Sequence, residues 1–172
     1  VTLEAARILK AAKARPDRTI RFVLWTGEEQ GLLGAVEHTK INASDLPRIS
    51  AVLNDDGGTN YQGGMPAASI MVPYLAAATA PINNFFYSET DKAFLNVNIR
   101  DTKTHIETHG SSDHAAFNRV GVPGFFWDES GRADYRYAWH TQNDRLDQAI
   151  PEYLVQSSTN AAVTAYRLAC AP

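Results

Sequence analysis

The spacing of apolar positions along this chain changes several times, and each change marks an element. In LEAARILKAAKA, Ile8, Leu9 and Ala12 share one face with lysines and arginines opposite, which predicts a helix from Leu3 to about Ala14 capped by Thr2. Pro16 and Asp17 turn the chain. Ile20, Phe22, Val23, Leu24 and Trp25 then form a β-branched and aromatic run, the pattern of a strand buried on both faces. Gly27 ends that strand, and Leu32, Leu33, Ala35 and Val36 recur at helical spacing, predicting a helix to about His38. After NASDLP a second apolar run, Ile49 to Leu53, stops at Asn54, Asp55, Asp56 and Gly57. Residues 58–69 read as loop, and residues 72–92 as a helix that Pro81 is placed to split. Leu95, Val97 and Ile99 alternate with polar residues as a strand with one exposed face, followed by a polar loop through Gly110. Ser111 to His114 open a short helix containing Phe117. Val122 to Trp127 predicts a further strand, DESGRADYRYAW a loop ending on His140, and residues 151–169 a long helix with proline in its first turn. This α, β, α, β rhythm predicts a parallel or mixed sheet flanked by helices.

Composition narrows the function classes. The 172 residues are 44% apolar, enough to fill the core of one domain. A formal charge of −3 gives no basic footprint for nucleic acid or an anionic membrane. Cys170 is the only cysteine, so neither a disulfide framework nor a thiolate metal cluster is available. No apolar stretch approaches the roughly 18 residues of a membrane-spanning helix, and no leader pattern is visible. The chain enters a helix almost at its first residue, which suggests that it begins inside a longer protein.

The chemistry collects at the ends of the apolar runs. Glu28 and Glu29 follow the first, Asp55 and Asp56 the second, and His140 closes the aromatic loop after the last. Adjacent like charges repel unless a cation or a raised pKa relieves them, and ligands of open α/β sheets bind at the carboxyl ends of strands. Each pair alone has an ordinary reading: favourable charge at a helix N-terminus, turn chemistry, a surface histidine. Their common placement favours a metal instead. Carboxylate oxygen with neutral imidazole suits zinc in an open, catalytic shell, and adjacent glutamates on a turn point apart, so one binds metal while its neighbour serves as general base on the attacking water. Asp113 and His114, at the start of a short helix, fit capping and supporting hydrogen bonds better than a ligand pair. His38 and His105 read as ordinary histidines, and His109 is open between the two roles.

RTIRFVLWTGEEQGLLGA, AVLNDDGG, SSDHAAFNRVGVPG and WHTQNDRLD together resemble the zinc-dependent exopeptidases that include bacterial leucyl aminopeptidase and carboxypeptidase Q, nearest to the latter. The resemblance runs from about Leu3 to Arg167 in the right order. It implies a three-layer α/β/α sandwich with a mostly parallel mixed sheet, of which residues 1–172 form the C-terminal majority of one catalytic domain, without its N-terminal strands. It further implies a two-zinc site with Glu28 as base, Glu29 and His140 on one metal and Asp56, rather than Asp55, on the other. Asp55, Asp113, His114 and Asp144 become supporting residues, and Phe126, Tyr135, Tyr137 and Trp139 candidates for the substrate pocket. The family also uses a His-x-Asp motif and a bridging aspartate ahead of the first helix, which this stretch lacks. Zinc binding by this stretch alone is therefore expected to be weak or absent. The expected substrate is a peptide or dipeptide, the expected location secreted or periplasmic, and the exposed sheet edge invites self-association. Two other readings share these residues: a one-zinc acyltransferase of the glutaminyl cyclase type and a non-catalytic binding module on the same fold.

Overall fold

Neighbouring residues of a strand face opposite sides, and Val52 and Leu53 of strand β1 (Val52–Asn54) enter two different cores. The computed structural model, which describes residues 1–103 and 110–171, is built around that division. β1 pairs in parallel with β6 (Gly124–Phe126), Val52 opposite Gly124 and Asn54 opposite Phe126. A second sheet has β2 (Tyr61–Ala67) at its centre, parallel to β5 (Asn98–Asp101) and antiparallel to β7 (Asp128–Ser130). The larger core joins Met65, Val97, Phe125 and Trp127 to Leu75 of α3 (Val72–Thr79) and Val163 of α6 (Pro151–Ala169). The smaller core packs Ala35 and Val36 of α2 (Leu33–Ile41) against Ala116 and Phe117 of α4 (His114–Asn118). Helix α1 (Thr2–Ala11) lies on α6. This is the mixed α/β layering that the sequence implies, with β1–β6 and β2–β5 parallel and β2–β7 antiparallel.

Helix α6 docks on β2 through side chains that complete the strand's backbone bonding. Gln156 is fully buried and donates from Nε2 to the carbonyls of Gln62 and Leu95, both at 3.1 Å. The Gln62 N–H donates to the Ser157 hydroxyl at 3.0 Å. These bonds fall where the β2–β7 register shifts between Gln62 and Gly64, so backbone groups that the ladder leaves over are satisfied from the helix.

Several expected elements differ. Ile20 to Trp25 is not a paired strand among the described residues: its backbone joins no ladder, and Phe22, Val23 and Leu24 are 38%, 37% and 66% exposed. A strand exists only as one side of a pair, and among the described residues no neighbour pairs with this segment. Residues 58–69 are not loop throughout, because β2 occupies 61–67 despite its glycines. Gly64 admits the backbone of Asn98, and Gly63 the side chain of Ser130. The helix expected over 72–92 stops at Thr79, Pro81 enters a single 3-10 turn, and β3 (Tyr87–Ser88) and β4 (Ala93–Phe94) follow as an antiparallel hairpin. The loop before His140 contains β7 and a one-turn helix, α5 (Tyr135–Ala138). Helix α1 begins at Thr2 with Val1 in the cap position and ends at Ala11, so Thr2 caps nothing. His105 and His109 lie outside the described residues. Among the described residues no helix is long and apolar enough to cross a membrane.

A Cβ on Gly64 would lie 2.1 Å from the Asn98 carbonyl oxygen, so any larger residue must part β2 from β5. Gly64→Ala is expected to cost about 2 kcal/mol or more of unfolding free energy, read as a lowered urea midpoint.

Candidate functional site

The loop that presents Glu28 and Glu29 is wound by its own backbone. Gly27 has φ +66°, and the Glu28 carbonyl accepts from the N–H groups of Gly31 at 2.9 Å and Leu32 at 2.8 Å. Gly34 donates to the Thr26 carbonyl at 2.9 Å, and a Cβ on Gly34 would lie 2.7 Å from that oxygen. The glycine thus permits the return that opens α2. Glu28 is half-buried and Glu29 exposed.

The two aspartates that follow β1 part company. Asp55 turns inward to Gln62 and to Glu129 of β7, and burial pushes its carboxyl above the usual range. Burial, followed by the charge of Asp55, pushes Glu129 up to about 8. Asp56 is exposed and accepts from the Ser112 hydroxyl, which in turn accepts from Asn54 Nδ2 at 2.7 Å. Beside Ser112, Asp113 is 5% exposed, and its Oδ1 has no hydrogen-bond partner among the described residues. Burial and then the Asp56 charge raise Asp113. Glu28 feels the same field: burial raises its pKa, the charges of Asp56, Glu29 and Asp113 raise it further, and His140 opposes them.

His140 arrives on the loop after α5 with φ +55°, a left-handed conformation uncommon outside glycine. Its Nε2 meets Glu29 Oε1 at 2.8 Å, a contact between residues 111 apart in sequence. Trp139 stacks on the imidazole with ring centroids 4.3 Å apart, and Tyr135 stacks on Trp139 at 5.7 Å. Beside the site a cavity of about 350 Å³ is lined by Asp56, Asn60, Phe126, Glu129 and Tyr135 among others. Phe126 and Tyr135 thus face this space, while Tyr137 and Trp139 lie outside its lining. His114 packs against Phe126 with centroids 5.3 Å apart. Asp144 closes a turn through its backbone, donating to the Thr141 carbonyl at 3.2 Å. His38 sits edge-on to Trp25 and beside Asn42, an ordinary packed histidine.

The structure therefore brings Glu28, Glu29, Asp56, Asp113 and His140 into one electrostatic neighbourhood. Among the described residues no group of three or more His, Cys, Asp or Glu side chains is placed to hold a metal ion. Glu129, Ser112 and Asn60 were not read from the sequence as site residues. Glu129 follows an apolar run as the other acids do, and that signal could have found it; Ser112 and Asn60 carry none.

An α/β fold with Asp55 and Asp56 at the end of a parallel strand, and with Glu28, Glu29 and His140 brought beside them on loops, belongs to the class of folds that hold ligands at the carboxyl edge of a sheet. The family model for Peptidase family M28 matches residues 1–165, and the chain belongs to that family. It is 28% identical over 173 residues to carboxypeptidase Q of Xenopus laevis, covering 98% of this chain and 33% of that protein. The fold resembles the LapA aminopeptidase of Legionella pneumophila, with a TM-score of 0.69 and 23% identity over 97% of this chain and 44% of that one. It also resembles BSAP, a zinc aminopeptidase from Bacillus subtilis, with a TM-score of 0.68 and 23% identity over 97% and 39%. The chain thus spans about a third of the carboxypeptidase Q sequence that it matches.

Folded Glu129 keeps its proton up to about 8, whereas an ordinary glutamate loses it near 4.5. The folded state binds more protons between those values, so this group's contribution is full below about 4.5 and is lost as pH rises toward 8. Glu129→Gln is expected to flatten that fall, measured as the difference in urea-unfolding stability between pH 5 and pH 8.

Proposed function

We propose that this chain carries the general base and part of the metal shell of a zinc-dependent exopeptidase, one that hydrolyses a terminal peptide bond. The observation that carries the reading is the Glu29–His140 contact at 2.8 Å beside Glu28, whose carboxyl is held above its usual range by burial and surrounding acids. Imidazole nitrogen and carboxylate oxygen are donors that zinc takes. The orphaned Asp113 Oδ1 and the raised Glu28 mark negative charge that a cation would relieve. The residues present fit zinc as an incomplete shell.

Zinc supplies Lewis acidity, which lowers the pKa of water and polarises a carbonyl. Glu29 and His140 would hold one ion and Asp56 another, with Ser112 and Asn54 fixing the orientation of the Asp56 carboxylate. Glu28 would take the proton of the attacking water and return it to the leaving amine, a transfer suited to a carboxyl whose proton affinity is raised. The cavity faced by Phe126 and Tyr135 would receive the side chain of the terminal residue. The same fold hosts the zinc aminopeptidase named above, which supports this reading over a binding module.

Zinc uptake by calorimetry and hydrolysis of an unblocked dipeptide test the reading, both for this chain and for a form extended upstream to the length of its relatives. Glu28→Gln is expected to cut hydrolysis about 10²- to 10⁴-fold while leaving zinc content unchanged. His140→Ala is expected to lower zinc content and activity together, and a chelator to remove activity that added zinc restores. Absence of zinc uptake in the extended form overturns the assignment. Cyclisation of an N-terminal glutamine in place of cleavage favours the acyltransferase reading.

A further inference from the structure

The segment that carries His140 has little regular structure to hold it. Between β7 and α6 the chain runs from residue 131 to 150 with one helical turn, α5, and one 3-10 turn, and most of its side chains are exposed. Its shape must come from where it is tied. At the near end both main-chain groups of Ala133 are taken by one side chain: its N–H donates to Asn60 Oδ1 at 2.9 Å, and its carbonyl accepts from Asn60 Nδ2 at 3.1 Å. The adjoining Arg132 guanidinium reaches Asp91 at 2.9 Å, Glu152 at 2.7 Å and the Tyr153 hydroxyl at 3.1 Å. It also lies over the Tyr153 ring, 4.8 Å from the centroid. Asp91 follows β3 and accepts from the Tyr153 hydroxyl, so one cation ties the loop to the hairpin and to the first turn of α6. A Cβ on Gly131 would lie 2.5 Å from Tyr153 and 2.6 Å from Asn60, so the chain passes this point only without a side chain. At the far end Thr59 Oγ1 donates to the Gln148 carbonyl at 3.0 Å. Both ends are thus fixed to Thr59 and Asn60, a few residues after Asp56.

We propose that Asn60 and Arg132 are positioning residues for His140: they lock the stem at 131–133, and the Tyr135–Trp139–His140 stack passes that fixed position to the imidazole. The Arg132 pairs are half-exposed, so they act less through Coulomb energy than through geometry, the planar fork engaging two carboxylates and a hydroxyl at once. The functional meaning of the clamp rests on His140 as a metal ligand; the clamp itself does not.

The test uses the metal-free chain. Nuclear magnetic resonance follows the His140 ring signals, with the indole N–H of buried Trp127 reporting on the core. Asn60→Ala and Arg132→Gln are expected to broaden or split the His140 signals while leaving Trp127 unmoved, and Arg132→Lys, which keeps the charge without the fork, to restore them only in part. In zinc titrations of the form extended upstream, the first two variants are expected to bind about 10- to 100-fold more weakly. Asp91→Asn, which weakens the hold on Arg132 without deleting the guanidinium, is the gentler variant and is expected to disturb His140 in the same direction. Unchanged His140 signals in all four overturn the proposal, as does loss of the His140 and Trp127 signals together in all four, which would make the contacts general to the fold. Disturbed His140 signals with no zinc uptake in any form leave the clamp standing and remove the exopeptidase reading.

Discussion

Strands β1 and β6 pair in parallel over three residues, and a parallel pair must end on one side. Asp55 and Asp56 leave the end of β1, and Trp127, Asp128 and Glu129 leave the end of β6. The Trp127 N–H donates to the Asn54 carbonyl at 3.1 Å, so the pairing continues to the point where the acids begin. The same two strands also separate the cores: Val52 faces one and Leu53 the other, and Phe125 joins Leu53. Rotating or sliding either strand would empty both cores at once, since a one-residue slip exchanges the faces. The acids are held together because the apolar residues before them have no other arrangement.

Crowded carboxylates raise one another's proton affinity, and this end of the fold contains two answers to that cost. Asp55 and Glu129 are half-buried and face each other, and Glu129, pushed up to about 8, keeps a proton at neutral pH. That pair sheds negative charge by holding a proton, although Glu129 Oε2 is itself buried without a hydrogen-bond partner among the described residues. In the other group Asp56 has a hydroxyl donor, Asp113 Oδ1 has no hydrogen-bond partner among the described residues, and Glu28 is raised by both. Adjacent aspartates in sequence therefore serve opposite ends, one consumed by the structure and one left facing the cluster. His140 opposes that field on Glu28.

Legibility from sequence followed how local each signal was. Helix α6 was read to its boundaries because nineteen residues of amphipathic spacing begin with a proline, a signal carried within the segment. Strand β2 was not legible. Its glycines and Pro66 argue against a strand locally, and the reason it forms, a neighbouring backbone too close for any Cβ at Gly64, lies 34 residues away. The opposite error occurred at Ile20 to Trp25, where strand composition is strong and pairing is absent among the described residues. The acids and His140 were found because they stand at the ends of apolar runs. The partition between Asp55 and Asp56, and the roles of Ser112 and Asn60, depend on side-chain directions that spacing does not encode.

The halves of the site differ in how firmly they are held, and this bears on what a metal would have to do. Asp56 follows a strand packed between two cores and is fixed by Ser112, itself bound by Asn54. Glu28 and Glu29 follow a segment with no ladder and rely on the bonds that wind residues 26–34 on themselves. His140 stands on a tied but exposed loop, and its bond to Glu29 joins two exposed side chains, where an ion pair alone stabilises by under about 1 kcal/mol. The contact therefore reports where the two loops already sit and does not set it. A ligand that engaged both side chains would have to supply the ordering that the bare contact does not. Metal affinity then depends on the prior fixing of these loops as much as on the identity of the donor atoms.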